Sequence, residues 1–87
     1  MISKTRPAFW RAYTLLAPSV KARAREGYRL FEQNPDHPSL RFKKLKARDD
    51  VWSVPISEQD RAVGVRTGDT IEWIRIGTHN EFESLFS

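Results

Sequence analysis

The sequence predicts an α+β fold, an N-terminal helical hairpin packed on a mostly antiparallel four-stranded sheet with a short C-terminal helix. Two observations carry this. Apolar residues recur at spacings of three and four between Phe9 and Phe31, the period of a helix with one buried stripe. From Leu40 to Ile76 the pattern changes to short β-branched and aromatic runs separated by turn residues, the pattern of a strand meander. With 87 residues, the chain reads as a single domain over 1–87. A domain of that size hides about 60–65 % of the unfolded chain's surface, so one sheet face must pack on the helices.

In chain order, Met1–Lys4 reads as a small edge strand. Pro7 suits the first turn of a helix, and Phe9, Trp10, Tyr13 and Leu16 form its apolar stripe. Pro18 stops this helix and opens a second. There Val20, Ala24, Gly27 with Tyr28, and Phe31 line one side, while Lys21, Arg23, Arg25 and Arg29 fall largely off it. Asn34-Pro35 ends the second helix, because the residue before proline is pushed out of the helical region. Two helices joined at a proline make a hairpin. Asn34–Ser39 is a loop by composition. Leu40–Lys46 reads as a basic strand, Arg48-Asp49-Asp50 as a turn, and Val51–Ser57 as a strand with Trp52, Val54 and Ile56 on one face. Pro55 cannot donate to a ladder, which places it near an edge or a bulge. Arg61–Arg66 is the next strand, Thr67-Gly68-Asp69 a hairpin turn, and Ile71, Trp73, Ile74 and Ile76 the last strand, broken by Gly77. Thr78-His79-Asn80-Glu81 fits a capping box at the start of the C-terminal helix.

Composition narrows the function classes. The chain has no cysteine, so it has neither a disulfide framework nor a thiolate metal site. Two separated histidines do not make a zinc site. No apolar run approaches the roughly 18–20 residues of a membrane span, and no signal peptide is legible, so a cytoplasmic protein is expected. Charge is unevenly spread. Residues 1–48 hold twelve Lys/Arg against three acids, a balance of +9, and residues 49–87 hold three Arg against eight acids, a balance of −5. Such asymmetry points to a basic surface for an anionic partner, nucleic acid foremost, with an acidic protein or a plain solvated face as alternatives.

Certain residues carry chemistry suited to RNA. Cleavage without a metal needs a base for the 2′-OH proton, positive charge on the developing phosphorane and an acid for the leaving 5′-oxygen. His79, at a strand-to-helix corner, has the side chain that titrates nearest neutrality. Arg61 can hold a phosphate in a bidentate fork. Lys43, Lys44 and Lys46 can neutralise adjacent phosphates, with Arg41, Arg66 and Arg75 adding to the set, and Trp73 can stack on an unpaired base. The structural alternatives are a surface histidine at a helix start, a solvated lysine edge, an Arg61 paired with Asp60 or Glu72, and Trp10, Trp52 and Trp73 in the core. His37, between Asp36 and Pro38, reads as a loop residue.

In order, His37-Pro38, Leu40, Lys43-Lys44-Leu45, Trp52-Ser53-Val54, Ile56-Ser57, Asp60-Arg61-Ala62-Val63, Trp73-Ile74 and Ile76-Gly77-Thr78-His79 resemble the RelE/ParE superfamily of bacterial type II toxins. Within it, the His-ending corner resembles the ribonuclease branch of RelE, YoeB, YafQ and HigB. The resemblance implies a RelE-like fold and a toxin that acts as an mRNA endoribonuclease on the ribosome. It implies no cofactor or metal, a cognate antitoxin protein as partner, and a monomer or a toxin–antitoxin complex. It implies Lys43, Lys44, Arg61 and His79 as the catalytic set, with Lys46 and other basic residues on the RNA. Phe82 or Phe86 takes the aromatic position after the last strand but lacks a tyrosine hydroxyl, and Pro55 stands where many relatives carry a basic residue. These departures keep two further readings open, a ParE-like inhibitor of DNA gyrase and a degenerate superfamily member with little activity.

Overall fold

The computed structural model describes residues 1–46 and 48–78. It has a five-stranded mixed sheet with two helices on one face. Strand β1 (Ile2–Thr5) leads into helix α1 (Pro7–Thr14) and helix α2 (Pro18–Gln33). A 3-10 turn (Pro38–Leu40) precedes strands β2 (Lys43–Lys44), β3 (Val51–Pro55), β4 (Asp60–Thr67) and β5 (Thr70–Thr78). The spatial order is β1-β5-β4-β3-β2.

The helical hairpin forms as the proline positions dictate, with Pro7 and Pro18 each in the first turn of its helix. The sheet departs from the four-stranded expectation in three ways. The Met1–Lys4 segment is a full member, paired in parallel with β5 from Ile2↔Thr70 to Thr5↔Trp73. A parallel neighbour cannot be reached through a tight turn, and here the helical hairpin and the antiparallel strands β2, β3 and β4 lie between β1 and β5. Leu40–Lys46 is not one strand. Pro38 and a side-chain cap from His37, whose Nδ1 accepts from the Ser39 N–H at 3.2 Å, close a 3-10 turn instead. Arg41 then takes a left-handed backbone (φ 51°), leaving two residues to pair. Gly77 does not end the last strand, because β5 continues through Thr78 opposite Asp60. Pro55 closes β3 outside the β2 pairing, which reaches only Trp52 and Ser53, so its missing N–H costs no ladder bond on that side. The capping box and the C-terminal helix lie outside the described residues.

The core sits between the helices and the sheet. Ile71, Trp73, Ile76, Val54 and Ala62 from the strands meet Phe31 and Leu40, with Phe9, Tyr13 and Leu16 of the hairpin packed against them. Edge-to-face contacts tie Phe31 to Phe42 at 5.2 Å and to Trp73 at 5.5 Å. An apolar cavity of about 480 Å³ remains between α2 and the sheet, lined by Tyr28, Phe31, Ile56 and Ala62 among others. Val51 and Val63 form a second, smaller cluster with Leu45 on the face away from the helices, the distal face.

Candidate functional site

Register decides which of the chemically interesting side chains share a face. Lys43 stands opposite Ser53, Ser53 opposite Val63, and Val63 opposite Arg75, one row across β2, β3, β4 and β5. With strands spaced about 4.8 Å apart, the row spans about 14 Å from Lys43 to Arg75. Side chains alternate along a strand, so Arg61, two residues before Val63, lies on the same face. Its partners are Pro55 and Gly77, making it the diagonal neighbour of both Ser53 and Arg75. Such diagonals measure about 7–8 Å, within reach of long side chains. Lys43, Arg61 and Arg75 therefore surround Ser53 and Val63 on the distal face.

Arg75 joins this set through an irregularity. Val63 pairs with Arg75 but Gly64 pairs with Trp73, so Ile74 is an extra residue in β5. A bulge of this kind shifts the alternation by one. Trp73 and Ile76 both reach the helix-side core, and Arg75 between them points the other way. Were Ile74 instead paired in regular alternation, Arg75 and Ile76 would exchange faces.

The charges of the three cations are not spent inside the described fold. Among the described residues, the ion pairs are Arg6 with Glu72 at 2.7 Å, and three longer ones at 3.9 Å: the N-terminus with Asp69, Lys44 with Asp49, and Arg48 with Asp50. Glu72 is thus held by Arg6, and Asp60 accepts from the Ser57 hydroxyl at 2.8 Å rather than pairing with Arg61. Lys43 and Arg75 are exposed, and Arg61 is half-buried.

The remaining residues singled out from the sequence lie elsewhere. Lys44 pairs with Trp52 in the register and shares its side of the sheet. Arg66 lies on that side too, its guanidinium 4.5 Å from the Trp52 ring centroid and 5.8 Å from that of Phe42, with Nε donating to the Gly68 carbonyl at 3.2 Å. Trp73 is no platform for a base. It is 4 % exposed, and its Nε1–H donates to Ser3 Oγ at 3.0 Å. A ring enclosed by Phe31 and Phe42 offers no free face for stacking. Lys46 and Arg41 are exposed in the loops flanking β2. His79, Phe82 and Phe86 lie outside the described residues. His79 is joined to Thr78, whose register partner Asp60 precedes Arg61.

One residue of this face was not legible as buried. Ser53 is 0 % exposed, and its buried Oγ has no hydrogen-bond partner among the described residues. A serine alternating with Trp52 and Val54 reads as a solvent-facing position, and nothing in a single sequence distinguishes it from one.

Residues 18–84 match the family described as the ParE-like toxin domain, and the chain belongs to that family. Solved structures of such toxins share its architecture. The toxin–antitoxin complex RelB–RelE from Methanococcus jannaschii superposes with a TM-score of 0.79 at 14 % identity, over 97 % of this chain and 99 % of that one. The YoeB/ParE toxin of Agrobacterium tumefaciens gives 0.71 at 19 % identity, over 91 % and 99 %. YafQ from E. coli gives 0.71 at 14 % identity, over 98 % and 97 %. At these identities the likeness establishes the RelE-like fold. A comparison with curated proteins finds no significant match. No described helix is long and apolar enough to cross a membrane.

Proposed function

We propose that the chain is the toxin of a type II toxin–antitoxin system and cuts mRNA on the ribosome. The reading rests chiefly on one observation: Lys43, Arg61 and Arg75 share the distal face, with no described carboxylate paired to any of them. Three cations spread over about 14 Å of one face suit the successive phosphates of an extended strand better than an isolated carboxylate ligand. In the scheme, a base takes the 2′-OH proton, O2′ attacks phosphorus, and the P–O5′ bond breaks, with an acid protonating the leaving oxygen. The products are a 2′,3′-cyclic phosphate and a 5′-hydroxyl. Arg61 stabilises the charge that develops on the phosphorane, and Lys43 and Arg75 hold the neighbouring phosphates. His79 supplies one of the proton transfers, each worth about 10²–10⁴-fold. The scheme uses no metal. Lys44 and Arg66, on the other face, act only through the overall field, and Lys46 and Arg41 extend the contact along the flanking loops.

An antitoxin protein that covers the distal face is the expected partner in the cytoplasm, in line with the RelB–RelE complexes of M. jannaschii and E. coli among the structural neighbours. The test is incubation with translating ribosomes followed by mapping of mRNA ends. New ends that depend on Arg61 support the proposal, and intact mRNA with folded protein ends it.

A second reading is the one that resemblance to ParE implies, inhibition of DNA gyrase without RNA cleavage, and the match to a ParE-like toxin domain keeps it open. Gyrase-linked DNA breaks in cells making the protein, with mRNA intact, select that reading. Pro55 opposite Arg61 motivates a third, a weakly active member. Growth arrest on expression, relieved by Arg61→Ala, contradicts it.

A further inference from the structure

We propose that Ser53 is a phosphate-positioning residue of the distal face, its hydroxyl donating to a non-bridging oxygen of an RNA phosphodiester held between Lys43, Arg61 and Arg75. The proposal rests on the reading of this face as RNA-binding. Ser53 has no exposed surface, and its Oγ finds no hydrogen-bond partner among the described residues. A buried hydroxyl without a partner destabilises a fold, and an apolar side chain would serve better between Val51 and Val63 if packing were all the position required. Its neighbours supply the second half of the argument. Lys43 is directly opposite and Arg61 diagonal to it, so a phosphate attracted by those cations has an oxygen near the unpaired hydroxyl. No described base touches Ser53 Oγ to activate it, which makes the hydroxyl a donor and not a nucleophile. Reaching a group with no exposed surface requires a local opening of this face, so phosphate binding and that opening are coupled.

The experiment compares wild type, Ser53→Ala and Ser53→Thr in two measurements on the full chain. One is the denaturant midpoint. The other is the affinity for a single-stranded oligoribonucleotide with 2′-O-methyl groups, which binds but cannot be cut. Ser53→Ala is expected to raise the midpoint, because it removes an unpaired hydroxyl, while weakening binding about 10-fold, the worth of a hydrogen bond to a charged acceptor. Ser53→Thr, which keeps the hydroxyl, is expected to restore most of the affinity. A lower midpoint for Ser53→Ala, oligonucleotide affinity within two-fold of wild type, or no binding by wild type each overturns the proposal. Failure of the ribonuclease reading is seen separately, as uncut mRNA on ribosomes while the oligonucleotide still binds and still responds to Ser53.

Discussion

Gly64 shows how tightly single positions are constrained in this sheet. A Cβ built there would stand 2.8 Å from Ile71 Cγ1 and 3.0 Å from the Glu72 carbonyl oxygen, and the backbone oxygen cannot yield as a flexible side chain can. Gly64→Ala is therefore expected to lower stability by about 1–3 kcal/mol, the range for overpacked cores, read as a shift in denaturant midpoint. Close approach is the use a strand interior has for glycine. Arg66 belongs to the same scale. The sequence adds it to the cations that can neutralise phosphates, but its guanidinium covers Trp52 and caps the end of the aromatic cluster. Arg66→Ala should reduce stability by about 0.5–1 kcal/mol through loss of that cation–π contact, checked by thermal melting. Trp73 was ambiguous for the same reason. An aromatic residue in a strand does not declare which face it occupies until the register is known.

At the scale of elements, the bulge at Ile74 has the largest consequence. It lets β5 place Trp73 and Ile76 in one core while turning Arg75 toward Lys43 and Arg61. Deleting Ile74 removes the extra residue and leaves Trp73 and Ile76 on the helix side and Arg75 on the distal face, opposite Gly64, Ala62 and Val63 as before. The expected change in unfolding midpoint is therefore small, within about 1 kcal/mol, whereas expelling a buried Ile would cost about 2–5 kcal/mol. The helices and the β3–β4–β5 meander were legible because their signals are local: proline at each helix start, period-3.6 stripes, and Thr67-Gly68-Asp69 with Gly68 at φ +60°. The parallel pairing of β1 with β5 was not legible. It joins residues nearly seventy positions apart, as Ile2↔Thr70 shows, and no local pattern encodes such a partner. The shortening of β2 was hidden likewise, since Leu40-Arg41-Phe42 alternates like a strand while Pro38 and Arg41 bend it away.

For the whole molecule, the distribution of charge along the chain differs from its distribution in space. Twelve of the fifteen Lys/Arg lie in residues 1–48. Yet the distal cluster takes only Lys43 from that half, and Arg61 and Arg75 come from the acidic half. The sequence identified Lys43, Arg61 and Arg75 as candidates, but their grouping, and the separation of Lys44 and Arg66 from them, follow from register. If three phosphates are neutralised on this face, the affinity for single-stranded RNA should fall with salt at a log–log slope of about −2, from about 0.7 per phosphate. Binding titrations across a range of potassium chloride concentrations measure it.

The most direct test of the distal face separates position from net charge. Two triple variants each remove three positive charges, Lys43→Ala/Arg61→Ala/Arg75→Ala on the distal face and Arg11→Ala/Arg23→Ala/Arg29→Ala on the helices. Both are compared with wild type for mRNA cleavage on translating ribosomes, after circular dichroism confirms folding. The distal-face variant should lose at least about 100-fold in cleavage rate, as for removal of groups that stabilise transition-state charge, and the helix variant should stay within a few-fold of wild type. Equal losses in the two, or undiminished cleavage by the distal-face variant, would contradict the account.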